Sequence, residues 1–206
     1  MSNKDYINNI DGAERRFFTA PVNFRESHND EENVIEGVAS VVSRQYNMGW
    51  YREEVLPGAF DEVINDDVRA LFNHDPNYIL ARSVNGQGTL QLYIDDAGNL
   101  AYRYKTPDRQ FAKDLQDAIR SGDVTQSSFA FKIKEQRWIE IEGEPELRQI
   151  VKLERLYDVS PVTYPASPDT TVAKRSFESV RDTQEHQYKG TPTMKYKHEL
   201  NRRNLK

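Results

Sequence analysis

Apolar residues in this chain fall mostly in short alternating or continuous runs, the spacing of strands rather than of long helices. Phe17-Phe18-Thr19-Ala20-Pro21-Val22 predicts a strand that Pro21 breaks or places at an edge. Val34 to Val42 predicts a longer strand, and its near-continuous apolar character predicts burial on both faces. A hairpin is the clearest local signal. Leu90, Leu92 and Ile94 alternate with polar or aromatic neighbours, Asp95-Asp96-Ala97-Gly98 supplies the turn, and Leu100, Tyr102 and Tyr104 alternate on the return.

Helical spacing is rarer. Pro57 to Ile64 reads as a turn leading into a short helix. The best helix follows the hairpin, with Thr106 as N-cap, Pro107 at the first helical position and Asp108 at the positive dipole end. Phe111, Leu115, Ala118 and Ile119 then form one apolar stripe, and Gly122 ends it. Strands over Ser127–Lys134 and Arg148–Val159 flank the polar loop Glu142–Glu146. Many short strands with one or two helices predict a mainly β (α+β) domain, barrel-like, with helices outside.

Composition narrows the class. The chain's 206 residues give room for one domain and its tails. Residues 1–15 are polar and read as a flexible N-terminus; the domain is expected over 16–175, and 176–206 as a polar tail. In residues 186–206, Lys189, Lys195, Lys197, Arg202, Arg203 and Lys206 face Glu199 alone. There is no cysteine, hence no disulfide, thiol nucleophile or thiolate metal site. The first residues lack an apolar signal segment, and no window approaches the roughly 18–20 apolar residues of a membrane span. A net charge of −5 argues against nucleic acid as the main partner of the domain. Asp66-Asp67 and Asp95-Asp96 read as turn residues, and neither a metal nor a cofactor is expected.

Three separated stretches carry the residue types of acyl transfer, which needs a nucleophile, a base and a group that orients the base. Of four histidines, only His74 follows an apolar run, Val68-Arg69-Ala70-Leu71-Phe72, that can fix an imidazole. Ser127-Ser128-Phe129-Ala130-Phe131 offers two adjacent hydroxyls, of which one can meet His74, because neighbours on a strand point to opposite faces. Asp158, in Leu156-Tyr157-Asp158-Val159-Ser160-Pro161, and Asp75, beside His74, are the candidate carboxylates.

These stretches resemble, in order, the blocks of the tailed-bacteriophage prohead maturation proteases. Phe72-Asn73-His74-Asp75 with Ile79–Ser83 and Gly88–Leu92 is similar to the histidine block of that family. Gly122-Asp123-Val124 leading to Ser128-Phe129 is similar to the nucleophile block, in which a serine precedes Phe. Leu156 to Ala166 matches the third block, and Gly37-Val38-Ala39 and Glu54 to Phe60 fit the opening strand and turn. The resemblance spans residues 16 to 175.

It implies a serine endopeptidase related to the herpesvirus assembly proteases, with a closed β-barrel of about seven strands surrounded by helices. By that resemblance Ser128 is the nucleophile, His74 the general base and acid, and Asp158 the third member, with Asp75 as the alternative. The implied substrate is the scaffolding region of the major capsid protein precursor, and the enzyme itself, inside the prohead in the host cytoplasm. A homo-dimer or higher oligomer is implied as well. A catalytically silent module that binds the capsid scaffold is the competing expectation. A generic esterase fits less well, since no Gly-x-Ser-x-Gly elbow exists.

Overall fold

The computed structural model describes residues 12–25 and 33–164. Among them are eleven strands and one helix. The chain runs β1 (Ala13–Arg25), β2 (Val34–Ser40), β3 (Tyr46–Asn47), β4 (Arg52–Val55), β5 (Val68–Phe72), β6 (Asp75–Val84), β7 (Gln87–Gly88), β8 (Leu90–Ile94) and β9 (Leu100–Lys105). Then come α1 (Gln110–Ser121), β10 (Gln126–Ile139) and β11 (Leu147–Val162). Mainly β is therefore the correct class.

One sheet joins the strands in the order β7-β6-β5-β11-β10-β1-β2-β9-β8. The closed barrel of about seven strands is not what the ladder shows. Its path ends at β7 and β8, which Thr89 alone separates in the chain and which no ladder joins. Strand β11 is the axis of the assembly. Its start pairs in parallel with β4 (Leu147 opposite Arg52), its end pairs in parallel with β5 (Asp158 opposite Arg69), and β10 runs antiparallel along it from Gln126 to Ile139.

Among the described residues the surrounding helices reduce to α1, which also begins later than its capping residues suggest. The Thr106 backbone N–H donates to Asn33 O at 2.8 Å, tying that residue to β2, and Arg109 N–H donates to Pro107 O at 2.8 Å in a tight turn. Arg109 thus becomes the N-cap, without a side-chain cap. The stripe buries Ala112, Leu115, Gln116 and Ile119, with Phe111 and Ala118 half-buried beside them. Gly122 does end the helix, in the left-handed conformation at φ 85° that glycine tolerates best. Pro57 to Ile64 forms successive turns rather than a helix. Gly58 at φ 84° interrupts the helical path while Phe60 and Val63 still reach the core.

Other expectations shift by smaller amounts. Strand β1 begins at Ala13, inside the stretch expected to be a flexible terminus, and its register with β10 shifts between Phe18 and Pro21. Strand β2 alternates buried and half-buried positions rather than burying both faces. Strand β10 continues five residues past Lys134, where Trp138 packs on Tyr51 with ring centroids 5.2 Å apart. The hairpin of β8 and β9 is as expected, with Asp95 Oδ1 accepting from Ala97 N–H and Asn99 N–H at 2.9 Å each. The basic tail lies outside the described residues.

Two features lock the strands of the sheet together. Gly37 of β2 faces Tyr102 of β9, and the Tyr102 ring lies directly over it: a Cβ at Gly37 would stand 2.5 Å from the phenol oxygen. The second is a buried charge cluster. Glu14 and Arg16 of β1, Glu53 of β4 and Arg148 of β11 form a closed set of two acids and two bases, with the Arg16 guanidinium on both carboxylates. Arg148 reaches Glu14 at 2.8 Å, Glu53 at 3.0 Å and Gln136 of β10 at 2.7 Å. Burial raises the Glu14 carboxyl, but the two arginines outweigh it and hold its pKa at about 2. Such a cluster specifies which strands meet more than it adds to net stability, since taking four charges out of water costs nearly what their attraction returns.

Gly37→Ala should lower unfolding stability by about 2–3 kcal/mol through overpacking against Tyr102, read as a reduced urea midpoint. The Glu14 carboxylate favours the folded state fully above its ordinary pKa of 4.5, and that contribution fades as pH falls toward 2. The urea midpoint should therefore drop between pH 5 and pH 3, and drop less in Glu14→Gln. A midpoint as pH-sensitive in the variant as in the wild type would remove Glu14 from this role.

Candidate active site

The β10–β11 ladder sets Ser128 directly opposite Ser160 and Ala130 opposite Asp158. Residues i and i+2 on a strand share a face, so Ser128, Ser160 and Asp158 project to the same side. Strand β5, on the other flank of β11, ends at Phe72, and the next two residues turn the chain back into β6. Asn73 and His74 make that turn with left-handed φ angles of 54° and 56°, which non-glycine residues adopt rarely. The conformation is held from outside. Asn73 N–H donates to Pro161 O at 3.1 Å, and Asn73 Oδ1 accepts from Thr163 N–H at 3.0 Å and from the Thr163 hydroxyl at 3.3 Å. The tip of the turn is thus stitched to β11, and His74 points back over its end.

There the imidazole bridges two strands. Its Nδ1 lies 2.6 Å from Asp158 Oδ1 and its Nε2 lies 2.5 Å from Ser128 Oγ. Ser128 and Ser160 have no exposed surface, Asp158 has 1% and His74 3%. An imidazole with its proton on Nδ1 donates to Asp158 and leaves Nε2 as the acceptor for the Ser128 hydroxyl. That hydroxyl has a second acceptor, the backbone carbonyl of Arg16 in β1, at 2.7 Å. One proton therefore serves two possible acceptors.

All three residues read from the sequence meet at one point. Asp75, the alternative carboxylate, turns away and accepts from Asn77 N–H and Asn77 Nδ2 at 2.9 and 2.8 Å. Ser127, the other hydroxyl, faces the core and pairs with the Tyr102 hydroxyl at 2.8 Å. Sequence reasoning missed three participants. Ser160 donates to Asp158 Oδ1 at 2.9 Å, Asn73 stabilises the turn, and the Arg16 carbonyl meets Ser128. The first was within reach, since Ser160 stands two residues from Asp158 on a predicted strand. Backbone contacts such as that of Arg16 leave no trace in side-chain identity.

The acidic pairs behave as turn and ion-pair residues. Asp67 accepts from Arg82 at 2.8 Å, an interaction that lowers its pKa to about 2, and Asp66 accepts from Leu156 N–H at 3.0 Å. Among the described residues no three His, Asp or Glu side chains converge as metal ligands, and no helix is long and apolar enough to cross a membrane.

Comparison with known proteins agrees with this architecture. The bacteriophage T4 capsid assembly protease gp21 has a similar fold, with a TM-score of 0.50 at 11% sequence identity, over 74% of this chain and 98% of that one. A search of curated proteins gives no match. The model of the caudovirus prohead serine protease family matches residues 20–184, which takes in β10, β11 and the His74 turn. With four-fifths of its length so matched, the chain belongs to the caudovirus prohead serine protease family.

Proposed function

We propose that this chain is a serine endopeptidase of prohead maturation in which Ser128 is the nucleophile, His74 the general base and acid, and Asp158 the residue that orients His74. The observation that carries the proposal is the imidazole's double engagement, Nε2 on Ser128 and Nδ1 on Asp158. Asp158 fixes the tautomer and favours the imidazolium that forms when His74 takes the Ser128 proton. The Ser128 oxygen attacks a peptide carbonyl, and His74 then protonates the leaving amine. Water, activated by the same imidazole, releases the acyl group. The Arg16 carbonyl competes for the same hydroxyl proton, so attack begins from the arrangement in which that proton lies toward Nε2.

Family membership supports the proposed substrate class. The chain is proposed to cut the scaffolding region of the major capsid protein precursor, and itself, inside the immature shell within the host cytoplasm, as a dimer or higher oligomer. A silent assembly module draws support from one observation, the full burial of Ser128, which leaves its hydroxyl closed to solvent. The two readings part on a simple experiment.

Co-expression of the chain with the capsid precursor, followed by intact-mass analysis, should show both proteins shortened. Ser128→Ala and His74→Ala should remain folded and cut at least about 10,000-fold more slowly. Equal cleavage by wild type and Ser128→Ala would remove the assignment, and intact masses in a fully assembled wild-type particle would favour the silent module. Asn73→Ala keeps all three reactive groups but loosens the turn that aims His74. Its cleavage rate should fall about 10- to 100-fold, the usual consequence of misplacing a reacting group by about an ångström. An unchanged rate would show that the turn does not depend on Asn73.

A further inference from the structure

The proposed triad leaves the buried charge of Asp158 unexplained. Asp158 is 1% exposed, and its two carboxylate oxygens have very different surroundings. Oδ1 takes two hydrogen bonds, from His74 Nδ1 and from the Ser160 hydroxyl, whereas Oδ2 has no hydrogen-bond partner among the described residues. A carboxylate taken out of water needs donors to remain ionised and fixed in rotation. Here they are concentrated on the single oxygen that faces the imidazole.

Ser160 is placed for that task by the ladder itself. It stands two residues beyond Asp158 on the same face of β11 and directly opposite Ser128 on β10. Its Oγ lies 2.9 Å from Asp158 Oδ1 and 3.3 Å from His74 Nδ1, and it is fully buried. The groups facing it are Asp158 on its own strand, His74 from the β5–β6 turn and the Ser128 hydroxyl from β10.

We infer that Ser160 is a positioning residue: its hydroxyl clamps Asp158 Oδ1 toward the imidazole, keeps the His74 proton on Nδ1 and so leaves Nε2 free for Ser128. The inference rests on the catalytic reading of Ser128 and His74. A hydroxyl donating to the carboxylate takes up one of its lone pairs, directs the other at Nδ1–H, and supplies the one charge-assisted bond to Oδ1 besides that of His74 among the described side chains. Without it, the carboxylate is held by His74 alone and can rotate to bring Oδ2 round. The imidazole then loses its fixed tautomer.

The test uses a fluorophosphonate probe, with which the Ser128 oxygen forms a bond to phosphorus, fluoride leaves and His74 takes the hydroxyl proton. It is paired with proton NMR of the far-downfield resonance of a histidine Nδ1–H bonded to carboxylate. In Ser160→Ala and in the near-isosteric Ser160→Cys, labelling should slow about 10- to 100-fold and the downfield resonance should shift or vanish. Ser160→Thr, which restores a hydroxyl, should recover labelling to within about threefold. Either alanine or cysteine variant suffices if the other fails to fold. Wild-type labelling rates in both, with the resonance unmoved, would overturn the inference. So would slowed labelling with an unmoved resonance, which marks a packing effect alone. Ser128→Ala and His74→Ala separate the two levels. If both abolish labelling while the Ser160 variants label normally, the triad stands and the clamp fails. If wild type is labelled no faster than Ser128→Ala, the catalytic reading fails and takes the clamp with it.

Discussion

The antiparallel pairing of β10 with β11 is the constraint on which the other features of the structure depend. It puts a serine on one strand opposite a serine on the other, with an aspartate one pleat away, before any loop has been placed. The same β11 backbone takes β4 along its first residues and β5 along its last, both in parallel. Parallel pairing forces long connections, so the turn that presents His74 arrives from a distant part of the chain and is aligned through β11. Three residues separated widely in sequence thereby become neighbours through a single strand.

The cluster of Glu14, Arg16, Glu53 and Arg148 extends that logic to the opposite end of the ladder. It joins β1, β4 and β11 through guanidinium–carboxylate bonds, and Arg148 brings in β10 through Gln136. Buried ion pairs tolerate few alternative geometries, because any displacement leaves a charge without its partner. Arg16 belongs to both ends at once: its side chain lies in the cluster while its carbonyl reaches Ser128. The placement of β1 beside the site is thus tied to charges that do not touch Ser128, His74 or Asp158.

What could be read from the sequence divides along a physical line. Alternation of apolar residues is a local property, and it located β8, β9, β10 and β11 and the buried stripe of α1. The helix start escapes local rules because Thr106 and Pro107, good capping residues in isolation, are held by the residue before β2 and by a tight turn. The Pro57–Ile64 stretch departs from the helical expectation because its apolar spacing serves a series of turns that still send Phe60 and Val63 inward. Barrel closure depends on how the ends of the sheet meet, which no single segment records. At the site, Ser128, His74 and Asp158 were legible through the order of their blocks. Ser160 and Asn73 became visible only once strand register and a left-handed turn were known.

The adjacent hydroxyls of Ser127 and Ser128 face opposite sides of β10, one toward Tyr102 in the core and the other toward His74. A slip of one residue along β11 in one direction would carry Ser127 into the place of Ser128 and turn Ser128 to the core face, since every side chain on the strand would change faces. A serine would still stand before His74, but Phe129 would lose its edge-on packing with Phe60, and Tyr102, seated on Gly37, would lose its Ser127 partner. The interior therefore acts as a gauge for the strand. The hydrophobic core proofreads which of two chemically identical groups is delivered to the imidazole, and it does so without touching the site.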